Sequence, residues 1–203
     1  MKKLFVILIV MAVVTLTGYF ALSPFLGLGG EFDNDYERND LDNNYVQNEL
    51  AIIDLSKYSI EIMSDNQGFS FGFDGRNDRY YFIPRNYNEN SKQVEYSDLQ
   101  CDNLELHSDE MNAVLDEIGI EVYKLDSLLL KLKKANCIGL LKQPFKNKPI
   151  KIDFRYGEGL LAPKFSYLVF SEPLSDSLKN EWENKGGRKV YSDKVIFEYL
   201  YPL

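Results

Sequence analysis

Histidine, cysteine and tryptophan are nearly missing from this 203-residue chain, which has one His, two Cys and one Trp. A single histidine excludes a multi-histidine metal site within one chain, and two cysteines are too few for a disulfide-dense mini-scaffold. No cysteine precedes Cys101, so a lipid-modified N-terminal cysteine is excluded, and no Asn-x-Ser/Thr glycosylation acceptor occurs. Positive charge is also short: 23 Lys and Arg face 31 Asp and Glu, for a net charge of −8. Phosphate backbones repel such a chain, so nucleic acid is not an expected partner. What is present, 45% apolar and 14% aromatic residues, excludes collagen-like, low-complexity and wholly disordered classes and leaves room for one domain of ordinary size.

The longest charge-free run extends from Leu4 through Gly30, with Lys2 and Lys3 before it and Glu31, Asp33 and Asp35 after it. Its most apolar part, Leu4 to Ser23, would span ~30 Å as a helix, which matches the hydrocarbon thickness of a bilayer. The sequence therefore predicts an N-terminal membrane anchor over residues 1–26, contacting the membrane through residues 4–26. The run is longer than the apolar region of a cleaved signal, the competing reading, and Pro24 fits poorly after Ala21-Leu22-Ser23. By the positive-inside bias the lysines stay in the cytoplasm. The expectation is then a single-pass protein of the cytoplasmic (inner) membrane with a periplasmic or otherwise extracytoplasmic C-terminal domain.

Residues 27–49 read as an acidic polar linker with a helical turn near Tyr45. Asp33, Asp35, Glu37, Asn39 and Asp40 suggest a calcium loop, but Arg38 and Asn44 stand where an EF-hand needs Gly and Glu. Charge divides unevenly, with a net of −13 over residues 31–110 and +3 over residues 111–203.

Residues 50–203 carry the globular pattern. Ser59 to Met63 and Phe69 to Phe73 read as strands. A turn at residues 74–78 and the alternation of Tyr80 and Phe82 then suggest a hairpin closing before Pro84. Val94 to Leu99 could add a strand. Ser108 is a candidate N-cap for a helix with the stripe Met111, Val114, Leu115 and Ile118, stopped at Gly119. The same spacing recurs at Leu125, Leu128, Leu129 and Leu132. Ile150 to Tyr156, Phe165 to Phe170 and Val195 to Tyr201 read as strands. Ser175 to Lys185 reads as a short helix with Leu178 and Trp182 inward, ended by Gly186-Gly187. The predicted fold class is α+β: a single N-terminal transmembrane helix followed by a mainly antiparallel sheet with helices packed on one face.

Reactive constellations are sparse. Cys101 and Cys137, if outside the cytoplasm, are expected to pair as a disulfide. His107 lies six positions after Cys101 with no local signature of a nucleophilic pair, and serine-hydrolase chemistry is not expected. Gly157-Glu158-Gly159-Leu160-Leu161-Ala162 follows a strand, but Pro163 and another strand replace the helix that a phosphate cradle needs. Among the carboxylates, Asp153 and Glu158 form the pair to inspect for acid–base chemistry. Arg76, Arg79, Tyr80 and Tyr81 at the hairpin tip are candidate contacts for a partner, since Arg and Tyr are enriched at binding hot spots. No cofactor is expected. These features lead to a membrane-anchored, extracytoplasmic bacterial protein of non-enzymatic, protein-binding type, in an inhibitor, immunity or envelope-complex accessory role. The alternative is a small envelope hydrolase using paired carboxylates.

Overall fold

Period-two alternation builds most of this chain, because each strand can then bury one face against helices. The computed structural model describes residues 34–63, 67–74, 79–88, 90–96, 101–145, 147–156 and 164–200. In chain order these form α1 (Asn34–Glu61), β1 (Gln67–Asp74), β2 (Arg79–Asn88), β3 (Gln93–Tyr96) and β4 (Cys101–Leu104). Then follow α2 (Asp109–Ile118), α3 (Val122–Lys134), β5 (Gly139–Lys142), β6 (Ile150–Tyr156), β7 (Lys164–Val169), α4 (Asp176–Glu183), β8 (Arg188–Val190) and β9 (Val195–Leu200). The strands pair antiparallel in the order β3-β2-β1-β5-β6-β7-β9-β8, with β4 also on β2.

One sheet face carries Phe69, Phe71, Tyr80, Phe82, Ile150, Ile152, Phe165, Tyr167 and Phe197, all in the main core. Helices α1, α2 and α3 cover it with Leu41, Ile52, Leu55, Met111, Leu115, Leu125 and Leu128. Rings pair across the strands: Phe69 stacks on Phe82 at 5.5 Å and Phe71 on Tyr80 at 6.2 Å. The Ser108 hydroxyl accepts from the Met111 amide and Gly119 ends α2 at φ 70°, so both punctuation marks act as the sequence suggests. Strand β2 runs on through Pro84, past the expected hairpin end. Its outer edge pairs with β4 at Tyr80 and Phe82 and with β3 from Arg85 onward. Pro84 falls between these two pairings, where a missing N–H costs no ladder bond.

The largest departure from expectation is α1, which occupies part of the predicted linker and the predicted strand at Ser59–Met63. Its inward stripe is Leu41, Tyr45, Asn48, Ile52, Leu55, Ser59 and Ile62, spaced alternately by four and three residues. Polar residues at two of these positions hide the period. At Asn48 the helix kinks, with φ −124° and ψ 16°.

What holds this polar stripe down is Asn44, buried at 5% exposure. Its amide nitrogen donates to Tyr167 Oη at 2.9 Å and to the Ala135 carbonyl at 3.3 Å. Its amide oxygen accepts from Asn136 at 2.9 Å and from Asn48 at 3.0 Å. Both donors and both acceptor sites of the side chain are thereby used. Tyr167 in turn donates to the Leu41 carbonyl at 2.9 Å. The network joins α1 to the end of α3 and to the middle of the sheet.

Three sequence expectations are corrected. The anchor at residues 4–26 lies outside the described residues, and no helix among those residues is long and apolar enough to cross a membrane. The long helix α1 is studded with Asp40, Asp42, Glu49, Asp54 and Lys57. The described architecture is thus an α+β domain with an antiparallel sheet and four helices, and single-pass topology, a membrane partner and a periplasmic location are set aside. Nor do the helices share one face: α4 lies against the other side of the sheet, where Leu168, Leu174 and Ile196 form a second small core with Trp182. Finally, Cys137 is a free, buried thiol rather than half of a disulfide. Cys101 aligns with Phe82, Phe82 with Phe71, and Phe71 with Leu140. Three strand spacings, roughly 14 Å, therefore separate Cys101 from the start of β5, well beyond bridging distance. Burial pushes the Cys137 thiol up, and its Sγ donates to the Ala135 carbonyl at 3.3 Å.

Because every hydrogen-bonding site of Asn44 is used, Asn44→Ala strands several buried partners and should cost about 2–4 kcal/mol. Tyr167→Phe removes one hydroxyl and should cost about 1 kcal/mol. Urea unfolding monitored by circular dichroism checks both, and equal losses would show that Asn44 is not the hub.

Candidate functional site

The residues singled out from sequence at the hairpin tip do not form one exposed patch. Tyr80 is buried in the core, 8% exposed. The Tyr81 ring lies across Gly72 of β1 and Gly139 of β5, so close that a Cβ at either glycine would sit 2.5–2.8 Å from its hydroxyl. Arg79 pairs with Glu105 at 3.2 Å, and Arg76 lies outside the described residues. Of the carboxylate pair, Asp153 is buried and accepts the Ser166 hydroxyl at 2.8 Å, while Glu158 lies outside the described residues. His107 meets Asp126 at 3.2 Å beside the start of α2. Among the described residues no group of His, Cys, Asp and Glu could hold a metal ion.

One motif escapes the sequence reading: Gly68-Phe69-Ser70-Phe71-Gly72 spells Gly-x-Ser-x-Gly. A nucleophile elbow needs this pentapeptide at a sharp strand-to-helix turn. Here it lies inside β1, in unbroken register with β2, and Ser70 is buried. Alternation points Ser70 away from the face covered by α1–α3, where His107 lies. The match is structural: a Cβ at Gly68 would collide with the Lys142 carbonyl.

Polar chemistry concentrates on the sheet face away from α1. Asp153, Ser166 and Glu198 lie side by side on β6, β7 and β9 through the pairs Asp153–Ser166 and Ser166–Glu198. Glu198, with its side chain 5% exposed, is held by Lys151 at 2.7 Å and by Arg188 through Nη2 at 2.6 Å and Nε at 2.9 Å. Both carboxylate oxygens are thereby occupied, Oε2 by Lys151 and Oε1 by Arg188. The Arg188 guanidinium lies 4.7 Å from the Trp182 ring centroid, so the sole tryptophan roofs the ion cluster.

Beside this roof a groove opens. Its floor and walls are Phe170, Pro173, Leu174, Leu178, Trp182 and Pro149, and it encloses about 370 Å³. Ser175 caps α4 by accepting the Leu178 amide, which aims Leu178 and Trp182 along one helix face, four residues apart. Trp182 meets the Phe170 edge at 5.9 Å. The sequence predicts both α4 side chains inward, yet Leu178 is 44% exposed and Trp182 only half-buried, because the groove separates Leu178 from the sheet. On the rim, Lys185 is held by Glu181 at 2.7 Å, and elsewhere on α4 Lys179 is held by Asp193 at 2.7 Å. Each hydrogen bond draws its carboxylate below and, for Lys179, its ammonium above the usual range. After α4 the chain turns through Gly186 and Gly187 at φ 57° and 63°. A Cβ at Gly187 would collide with the Tyr199 carbonyl, so glycine is needed there to bring Arg188 back onto the sheet. A second concavity lies over the α1 kink, lined by Val46, Leu50, Ala51, Asp54 and Lys134. It is almost wholly one helix surface and lacks an opposing wall.

No family model matches the chain, and no curated protein or solved structure matches it. The reading as a membrane-anchored protein-binding module therefore has neither a described anchor nor a related protein behind it.

Removing the shared carboxylate should be costly, because it leaves two half-buried cations together. Glu198→Ala is expected to lose about 3–5 kcal/mol. A urea midpoint within error of the parent would show that the cluster contributes nothing to stability.

Proposed function

We propose that this domain is a small-ligand-binding module whose site is the groove between α4 and the turn leading into β6. The observation that carries this reading is the open apolar surface of Leu178 and Trp182, facing Phe170, Leu174 and two prolines around about 370 Å³. That volume and lining suit a small molecule with an apolar body, held by a few polar groups at the rim. Two proline walls contribute no backbone donors, so orientation falls to the side chains of Asn147, Lys148, Glu172 and Lys185.

Because Trp182 is the only tryptophan, it reports on its own site. The expected outcome is one equivalent of anilinonaphthalene sulfonate, an apolar aromatic with one negative charge, bound to the folded full chain with energy transfer from Trp182. Leu178→Glu should weaken binding roughly tenfold, equivalent to about 1.4 kcal/mol. Absence of transfer in the native protein, or an undiminished response in the Leu178 variant, overturns the groove as the site.

A second reading, hydrolysis through carboxylates, draws on one feature. Asp153 is buried against Ser166 at a bulge in β6, four positions before the start of the segment 157–163 that carries Glu158. Bulges often re-aim side chains beside active sites. On this reading the full chain cleaves a chromogenic ester or glycoside, and Asp153→Asn abolishes turnover while dye binding persists. No turnover by the parent chain on either substrate class counts against it.

A further inference from the structure

Two rim residues of the groove carry opposite charges that no ion pair among the described residues neutralises. Lys148 enters from the turn before β6, and Glu172 from the segment between β7 and α4. Both are exposed, and neither forms an ion pair among the described residues, whereas the neighbouring Glu181 and Lys185 neutralise each other at 2.7 Å. The same groove is lined by the apolar side chains of Leu174, Leu178 and Trp182. A ligand that matches this lining has a carboxylate, an ammonium and a sizeable apolar group.

Resting on the groove reading above, we propose that the ligand is a free α-amino acid with a large apolar side chain. Its carboxylate faces Lys148, its ammonium faces Glu172, and its side chain lies against Leu178 and Trp182. The apolar contact supplies most of the affinity, since burying a leucine-sized side chain outweighs a solvent-exposed ion pair. The exposed charge pairs contribute less and act mainly to select and orient the ligand. Charge selection of this kind discriminates against fatty acids and simple amines, each of which leaves one rim charge unmatched.

Displacement of anilinonaphthalene sulfonate from the full chain by L-leucine tests the proposal, with N-acetylleucine, leucinamide and 4-methylpentanoate as comparisons. L-Leucine should displace the dye best, and each compound lacking one charge should bind roughly two- to fivefold more weakly. Glu172→Gln should remove the preference for L-leucine over N-acetylleucine, and Lys148→Met the preference over leucinamide, with dye transfer from Trp182 confirming the fold in both. If the dye binds but L-leucine does not displace it, or displaces it no better than 4-methylpentanoate, the amino-acid proposal fails and the groove stands. If either rim variant leaves the preferences unchanged, the assigned charge pairing is wrong. If the dye never occupies the groove, the binding reading itself fails.

Discussion

The buried amide of Asn44 is the constraint on which the rest of this fold depends. A helix rich in Asn and Asp has little reason to form or to dock on its own. Asn44 converts that polarity into attachment by donating to Tyr167 and Ala135 and accepting from Asn48 and Asn136. Asn136 reaches it from a left-handed turn at φ 52°, a conformation that asparagine tolerates better than most residues. Around this point the apolar partners follow: Tyr45 packs its ring on Tyr167, Tyr191 and Phe197 at 4.7–5.5 Å. The polar contacts set the position of α1, and the aromatic burial supplies most of the attraction.

The two sheet faces solve different problems. Toward α1–α3, side chains alternate cleanly and the core is almost purely apolar. On the other face, four polar side chains lie close together on β6, β7 and β9, and burial is tolerable there because each finds a partner. Lys151 and Arg188 neutralise Glu198, while Ser166 satisfies Asp153. Trp182 then closes the cluster on the solvent side. Having a ring committed to this roof leaves α4 unable to seat Leu178 against the sheet, and the groove is the resulting gap.

Much of this was legible from the residues alone. Strands β1 and β6 and helices α2 and α3 announce themselves through unbroken period-two or i, i+3, i+4 spacing, with Ser108 and Gly119 as punctuation, and β7 and β9 as short runs apolar on both faces. Helix α1 was not legible because Asn48 and Ser59 occupy inward positions of its stripe, and an isolated apolar pattern gives no hint that Asn44 will find four partners. The position of α4 was equally hidden: periodicity shows which side of a helix is apolar, but not which face of a sheet receives it. Tyr81 illustrates a third limit. Its neighbours Gly72 and Gly139 come from different strands, so the space its ring fills exists only after the strands pair. The groove follows the same logic, since Pro149, Phe170 and Trp182 are distant in sequence.

The clasp between α1 and β8 bears on how the chain reaches this state during synthesis. Lys189 pairs with Asp42 at 2.7 Å across 147 positions, and Tyr191 stacks on Phe197 while capping Tyr45. A ribosome elongating at about 5–20 residues per second thus exposes the α1 segment for roughly 7–30 seconds before its last neighbours exist. Its abundance of Asp and Asn, a poor feature for a helix, keeps the nascent segment hydrated and unreactive over that interval.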